Sequence, residues 1–277
     1  MKDLGKRKKG ALKRLEEEIE DDPAFQEEFS KQPSPDIHSG FGMLASDKAN
    51  ELIKNVEDYM EESEGLIVEP ELIPGKSFEP QLLDNILLGI AYIGQGRKEK
   101  ANALRQSISD YSYKKKWLLT SSVPLMLFDA LLGRKEFKYA FFAGDVRAST
   151  NAMACLYHIV KKDESDVIEM LENTVKTNEH QKPWITDRED KILVYGQSDK
   201  DSTECFFDNI MMATVHFAAG RHWQGLALHN YCLHVWPIEK YNGADFAHFD
   251  MYPSASDTLA LAISMMAMNY AAPEANK

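Results

Sequence analysis

The chain has 277 residues, 44% of them hydrophobic, and a formal net charge of -12. That charge excludes a nucleic-acid-binding surface, which needs cations to displace counterions, and suits an acidic protein with a basic protein partner. Cys155, Cys205 and Cys232 are odd in number, far apart and set in apolar stretches, so they read as core thiols in a reducing cytoplasm, not as a disulfide framework.

The chain opens without an apolar signal sequence. Its longest uncharged run, Thr258 to Pro273, is shorter than the roughly 18 to 20 residues a spanning helix needs, so a cytoplasmic location away from membranes is expected. Residues 1–35 form a charged N-terminal segment. Lys6, Arg7, Lys8 and Lys9 are followed by Glu16, Glu17, Glu18 and Glu20, and only Leu12, Leu15 and Ile19 mark an apolar stripe. Asp22-Pro23 starts a short helix through Phe29, and Gln32-Pro33-Ser34-Pro35 breaks it. Residues 36–277 read as a single all-α domain.

From Asp36 to Glu62 one long helix is predicted, with Leu44, Leu52, Ile53 and Val56 on one face. Gly65 to Gly75 holds β-branched residues and two prolines, and reads as a short β excursion. A helix from Glu79 to Ile93 follows, with Pro80 in its first turn and Gly94 and Gly96 closing it. Its partner, Lys98 to Ser109, turns Ala101, Leu104 and Ile108 inward and Lys98, Lys100 and Arg105 outward. Lys116 to Leu132 is helical with a kink or break at Pro124, and ends in Gly133-Arg134. An aromatic run spans Phe137 to Asp145. Helices are predicted from Thr150 to Val160 and from Asp166 to Thr177, and Lys182 to Asp201 reads as loop around a short helix or strand. Thr203 to Phe217 and Arg221 to Val235 form a further helix pair. Tyr241 to Pro253 is a loop, and Asp257 caps a final helix from Thr258 to Tyr270.

One stretch recurs. Asp84-Asn85-Ile86-Leu87 through Gly96-Arg97 returns, altered, as Asp208-Asn209-Ile210-Met211 through Gly220-Arg221. Both copies read as an apolar helix opened by Asp-Asn, closed by glycine and arginine, and followed by a second helix. Repeated helical hairpins with short Gly-Arg turns predict stacked antiparallel pairs, as an α-solenoid or a partial α/α toroid.

No nucleophile motif, phosphate loop or metal-ligand spacing accompanies this pattern. His229 and Cys232 share a helix face, but His216, His222, His234 and His248 fall in no metal-binding register, and neither a metal nor another cofactor is expected. Asp84 and Asp208 have two readings. As caps they satisfy orphan amides; converging on a central cavity, they form the acid–base pair of a small toroid hydrolase. The densest mixture of aromatic and acidic side chains lies between His234 and Pro253, where Trp236, Glu239, Tyr241, Asp245, His248, Asp250 and Tyr252 are candidate contacts for a partner.

Three runs in order carry a resemblance. Gly65-Leu66-Ile67-Val68 through Leu104 passes from an extended excursion into a helix, a charged turn and a second helix. Leu156-Tyr157-His158-Ile159-Val160 through Trp184 repeats helix, charged turn and helix, and Ile210 through Leu228 adds a hairpin. Over roughly residues 40 to 236 this order resembles the immunity protein 49 family of bacterial polymorphic toxin systems; the tail from Pro237 to Lys277 has no counterpart. The resemblance implies a cytoplasmic protein that neutralises a cognate toxin by stoichiometric binding, without catalysis, and the acidic charge would speed association with a basic one. A helical-repeat adaptor that binds a peptide in its concave face is a further alternative.

Overall fold

A computed structural model describes residues 35–70, 79–115, 123–134, 147–161, 179–183, 191–197, 203–247 and 253–270. The helices predicted before residue 35 and over 166–177, and the aromatic run Phe137 to Asp145, lie outside them. The structure is mostly helical: α1 Pro35–Tyr59, α2 Leu82–Gly94, α3 Lys98–Lys115, α4 Val123–Leu132, α5 Ala148–Lys161, α6 Phe206–Ala218, α7 His222–Val235 and α8 Ala255–Tyr270. Three antiparallel strand pairs punctuate it: β1 Glu61–Ser63 with β2 Leu66–Val68, β3 Glu179–Pro183 with β4 Lys191–Tyr195, and β5 Ile238–Tyr241 with β6 Ala244–Ala247.

α1 buries Ala49, Leu52, Ile53 and Val56 on the predicted face. It stops at Tyr59, short of the predicted Glu62, because Glu61–Ser63 pair with β2. Ser63 lies opposite Leu66, so Glu64 and Gly65 form the two-residue turn, with φ of 54° and 75°. Two successive positive φ values match the right-handed twist of a hairpin. The β5–β6 hairpin turns the same way on Asn242 and Gly243, φ 50° and 86°. The stretch from Tyr241 to Pro253, expected as loop, therefore begins as a strand.

Other expectations are corrected. α3 runs to Lys115, past the predicted Ser109, and Arg105 faces inward: Nε and Nη2 bond the two carboxylate oxygens of Asp129 on α4, at 2.7 and 2.9 Å. Charge alone placed Arg105 outside; a buried acid on the neighbouring helix draws it in. α4 starts at Val123 and Pro124 sits in its first turn, where no amide is needed; the rest of the helix expected from Lys116, 116–122, lies outside the described residues.

Helices α2, α4 and α6 end alike. Gly96, Gly133 and Gly220 take φ of 74°, 72° and 77°. Their amides bond the carbonyls of Ile93, Ala130 and Phe217, and the amides of Arg97, Arg134 and Arg221 reach Tyr92, Asp129 and His216. These are paired Schellman bonds that satisfy orphan carbonyls.

The helices pack in a cycle. α2 lies against α4, α4 against α5, α5 against α6, α6 against α8, and α8 against α2 again. α3 backs α2, and α7 backs α6. The core between them includes Ile86, Leu87, Phe128, Phe206, Ile210, Met212, Leu259 and Leu261, none more than 1% exposed. Close approach is built in: a Cβ on Gly89 would sit 2.2 Å from the Phe128 ring, and one on Gly225 would sit 2.7 Å from the Phe217 ring.

Candidate functional site

Each hairpin is stapled to the helix that follows it by one polar side chain. Asn85, on the first turn of α2, accepts from the Ile67 amide through Oδ1 at 2.8 Å and donates from Nδ2 to the Ile67 carbonyl at 3.0 Å. Asn209 on α6 holds Tyr195 the same way, at 2.8 and 3.0 Å. Both amides also donate to the carbonyl four residues earlier, Gln81 and Cys205. The third member is Thr258 on α8. Its hydroxyl accepts from the Ala247 amide at 3.1 Å and faces the Ala247 carbonyl at 3.4 Å and the Ser254 carbonyl at 2.7 Å. A carboxamide presents a donor and an acceptor side by side, which matches an extended residue's N–H and C=O; a hydroxyl does the same over a shorter reach.

An aspartate precedes each staple. Asp84, Asp208 and Asp257 all occupy the third position of their helices, so none is the N-cap. The caps are Gln81 and Cys205, without side-chain bonds, and at α8 the Ser254 hydroxyl accepts from the Asp257 amide at 3.2 Å. The expected capping of α2 and α6 by their own Asp-Asn is thus corrected. The extended backbone of Gln81 and Cys205 starts each helix three residues upstream.

The three acids differ in role. Asp208 is fully buried and joins α6 to α5: Oδ1 accepts from the Ser149 amide at 2.8 Å and Oδ2 meets Arg147 Nη2 at 3.3 Å. It caps a neighbouring helix, with both oxygens engaged. Asp84 is 7% exposed, and burial, followed by the charges of Glu69 and Asp257, pushes its carboxyl up to about 7. The same pole holds Cys205, whose thiol is raised by burial, then by Asp208. The structure places Asp84 within electrostatic reach of Asp257, a grouping that the two-copy reading of the sequence does not contain.

The candidate contact segment is divided. Trp236 ends α7 and stands edge-on to Phe206 and Tyr231, at 6.1 and 6.3 Å between centroids. Tyr241 meets Tyr59 edge-on at 5.6 Å, and Phe246 meets the same ring at 5.4 Å. Asp245 points toward α1, where Lys48 Nζ lies 2.5 Å away and Asn55 donates to its backbone carbonyl at 2.9 Å. Lys48 holds the Asp245 carboxyl below its ordinary range. Glu239 is exposed at the hairpin. His248, Asp250 and Tyr252 lie outside the described residues. Comparison with family models, curated proteins and solved structures finds no match to this chain.

His229 Nδ1 contacts Ser264 Oγ at 3.1 Å, and among the described residues no group of three or more metal-binding side chains exists. Burial pushes His229 down to about 4 and, with Arg221, His216 down to about 3; Tyr195 OH lies 3.1 Å from His216 Nε2. At the opposite end from the aspartates, the C-terminal halves of α2, α4, α5, α6 and α8 surround a cavity of about 790 Å³. Sequence reasoning missed it. The apolar positions that line it have the same helical spacing as core positions.

Proposed function

We propose that the chain is a small α/α toroid that acts by binding a protein, as a cytoplasmic immunity protein neutralising a cognate toxin. The cycle of five helices backed by α3 and α7 supports a closed ring over an open solenoid. Binding by the β5–β6 face is carried by one observation. Lys48, Asn55 and Tyr59 of α1 grip that hairpin through Asp245, Tyr241 and Phe246, while Glu239 and Lys240 remain exposed and Trp236 and Tyr241 stay half-exposed. A held aromatic–acidic surface loses little entropy on docking, and half-exposed Trp and Tyr are the side chains that anchor interfaces. The overall charge of -12 favours fast association with a basic toxin.

Within this reading Trp236, Glu239 and Tyr241 contact the partner directly, while Asp245 fixes the hairpin. His248, Asp250 and Tyr252 continue the same segment in sequence and are proposed to extend the face. The paired-carboxylate hydrolase is the weaker reading, because Asp208 has no exposed surface and both its oxygens are bonded.

The test is co-expression with the toxin encoded beside the gene. Rescue of growth and a one-to-one complex are expected, with Trp236→Ala and Glu239→Lys weakening the complex roughly tenfold or more, about 1.4 kcal/mol. Absence of both rescue and complex formation would sink the proposal.

A further inference from the structure

The cavity enclosed by the five-helix cycle is independent of the proposed partner face. Its residues span about two turns of α2 and α6, Leu87 to Gly94 and Met211 to Ala218, and about one turn of α4, α5 and α8, so it is roughly 6 to 10 Å deep at the 1.5 Å rise of a helix. With a volume of about 790 Å³ it is at least as wide as it is deep. Leu87, Leu127 and Met211 form a buried floor, while Val160, Ala218 and His222 form an exposed rim. Among the described residues His222 is the one ionisable side chain in the lining, and Thr214 already donates its hydroxyl to the Ile210 carbonyl at 2.9 Å. The volume falls in the range of small-molecule pockets. Its walls are mostly apolar, and a ligand seated there would cover that surface from water.

We infer that this cavity binds a compact, neutral, apolar small molecule with at most one polar group directed to the rim. A width at least equal to the depth fits a fused-ring or cage hydrocarbon better than a single extended acyl chain. Met211 and Met266 give the wall adaptable surface, since unbranched thioethers repack around varied shapes. The ends of the five wall helices at the rim are carbonyl ends, which carry partial negative charge and outnumber the one amide end there, that of α7 at His222. A carboxylate at the rim is therefore disfavoured, and an alcohol can donate to it.

The test is calorimetric titration of the full chain with 1-adamantanemethanol and with the matched 1-adamantanecarboxylate at neutral pH. The alcohol is expected to bind one-to-one and saturably, and the carboxylate roughly tenfold or more weaker. Ala267→Trp places an indole in the cavity, and Ala218→Trp covers it from an exposed rim position that tolerates bulk. Each is expected to reduce the affinity for the alcohol roughly tenfold or more, with the helical circular dichroism of the wild type retained. No saturable binding by the wild-type chain, or undiminished binding in a folded variant of either kind, overturns the inference. Equal affinity for alcohol and carboxylate overturns the assignment of a neutral ligand.

Discussion

At Asn209 a single side chain completes the hydrogen bonding of a buried strand residue. Tyr195 has no exposed surface, and both its amide and its carbonyl end on the Asn209 carboxamide. Asn209→Ala leaves both groups buried and unpaired, at about 1–3 kcal/mol each, and is expected to destabilise the fold by about 2–5 kcal/mol. Asn85→Ala is expected to cost less, because Ile67 is only half-buried and water can replace part of the contact. Urea denaturation of the two variants checks the order; equal losses would contradict this account. The Asp-Asn pairs were visible in the sequence, but their partners were not. Ile67 and Tyr195 lie 18 and 14 residues before their asparagines, and no local rule links positions that far apart. Thr258 was harder still to identify, since a threonine in a first turn has no distinctive pattern.

Among the elements, α3 and α4 are joined by the Arg105–Asp129 pair, with side chains 8% and 9% exposed. Removing one partner strands the other charge in the interior. Arg105→Met and Asp129→Leu are each expected to cost about 3–5 kcal/mol, while the double variant recovers most of the loss. A double-mutant cycle measured by thermal or urea unfolding decides this, and strictly additive losses would refute it. Helix ends were the most legible elements. Gly96-Arg97, Gly133-Arg134 and Gly220-Arg221 announce the left-handed residue that a Schellman ending requires, and all three turns form there. Helix starts were less legible, because acidic residues are favourable throughout the first turn and do not mark its first residue. The β5–β6 hairpin was missed since Asn242-Gly243 is a turn signal flanked by polar and aromatic residues, with no clean alternation.

Over the whole molecule, stability depends on pH through buried groups that act in opposite directions. The Asp84 carboxyl, raised to about 7 from 3.8, keeps its proton in the folded state where the unfolded chain has lost it, so its contribution falls as pH rises through that window. His216 and His229, lowered to about 3 and about 4 from 6.5, resist protonation when folded. Their contribution is complete above 6.5 and is lost as pH falls below it. Between pH 4 and 6.5 the aspartate offsets about one of the two histidines, so stability still rises with pH but about half as steeply as the histidines alone would give. Asp84→Asn removes the aspartate's effect. It is expected to stabilise the protein by roughly 2–4 kcal/mol at pH 8 and by little near pH 4, leaving stability that rises steadily over the interval. Urea melts at several pH values measure this, and a variant no more stable than wild type at pH 8 would refute it.

The sequence by itself determined the helical class, the glycine turns and the pairing of α2 with α3 and of α6 with α7. Those features rest on local periodicity and on backbone conformations that few residues adopt. Only the tertiary structure decided that Asp208 caps α5, that Arg105 faces a buried acid, that a threonine supplies the third staple, and that five helices surround a cavity. Each depends on which distant segments meet. A buried polar group takes whatever partner folding brings near it, and an apolar side chain has the same helical spacing whether it fills a core or lines a hole.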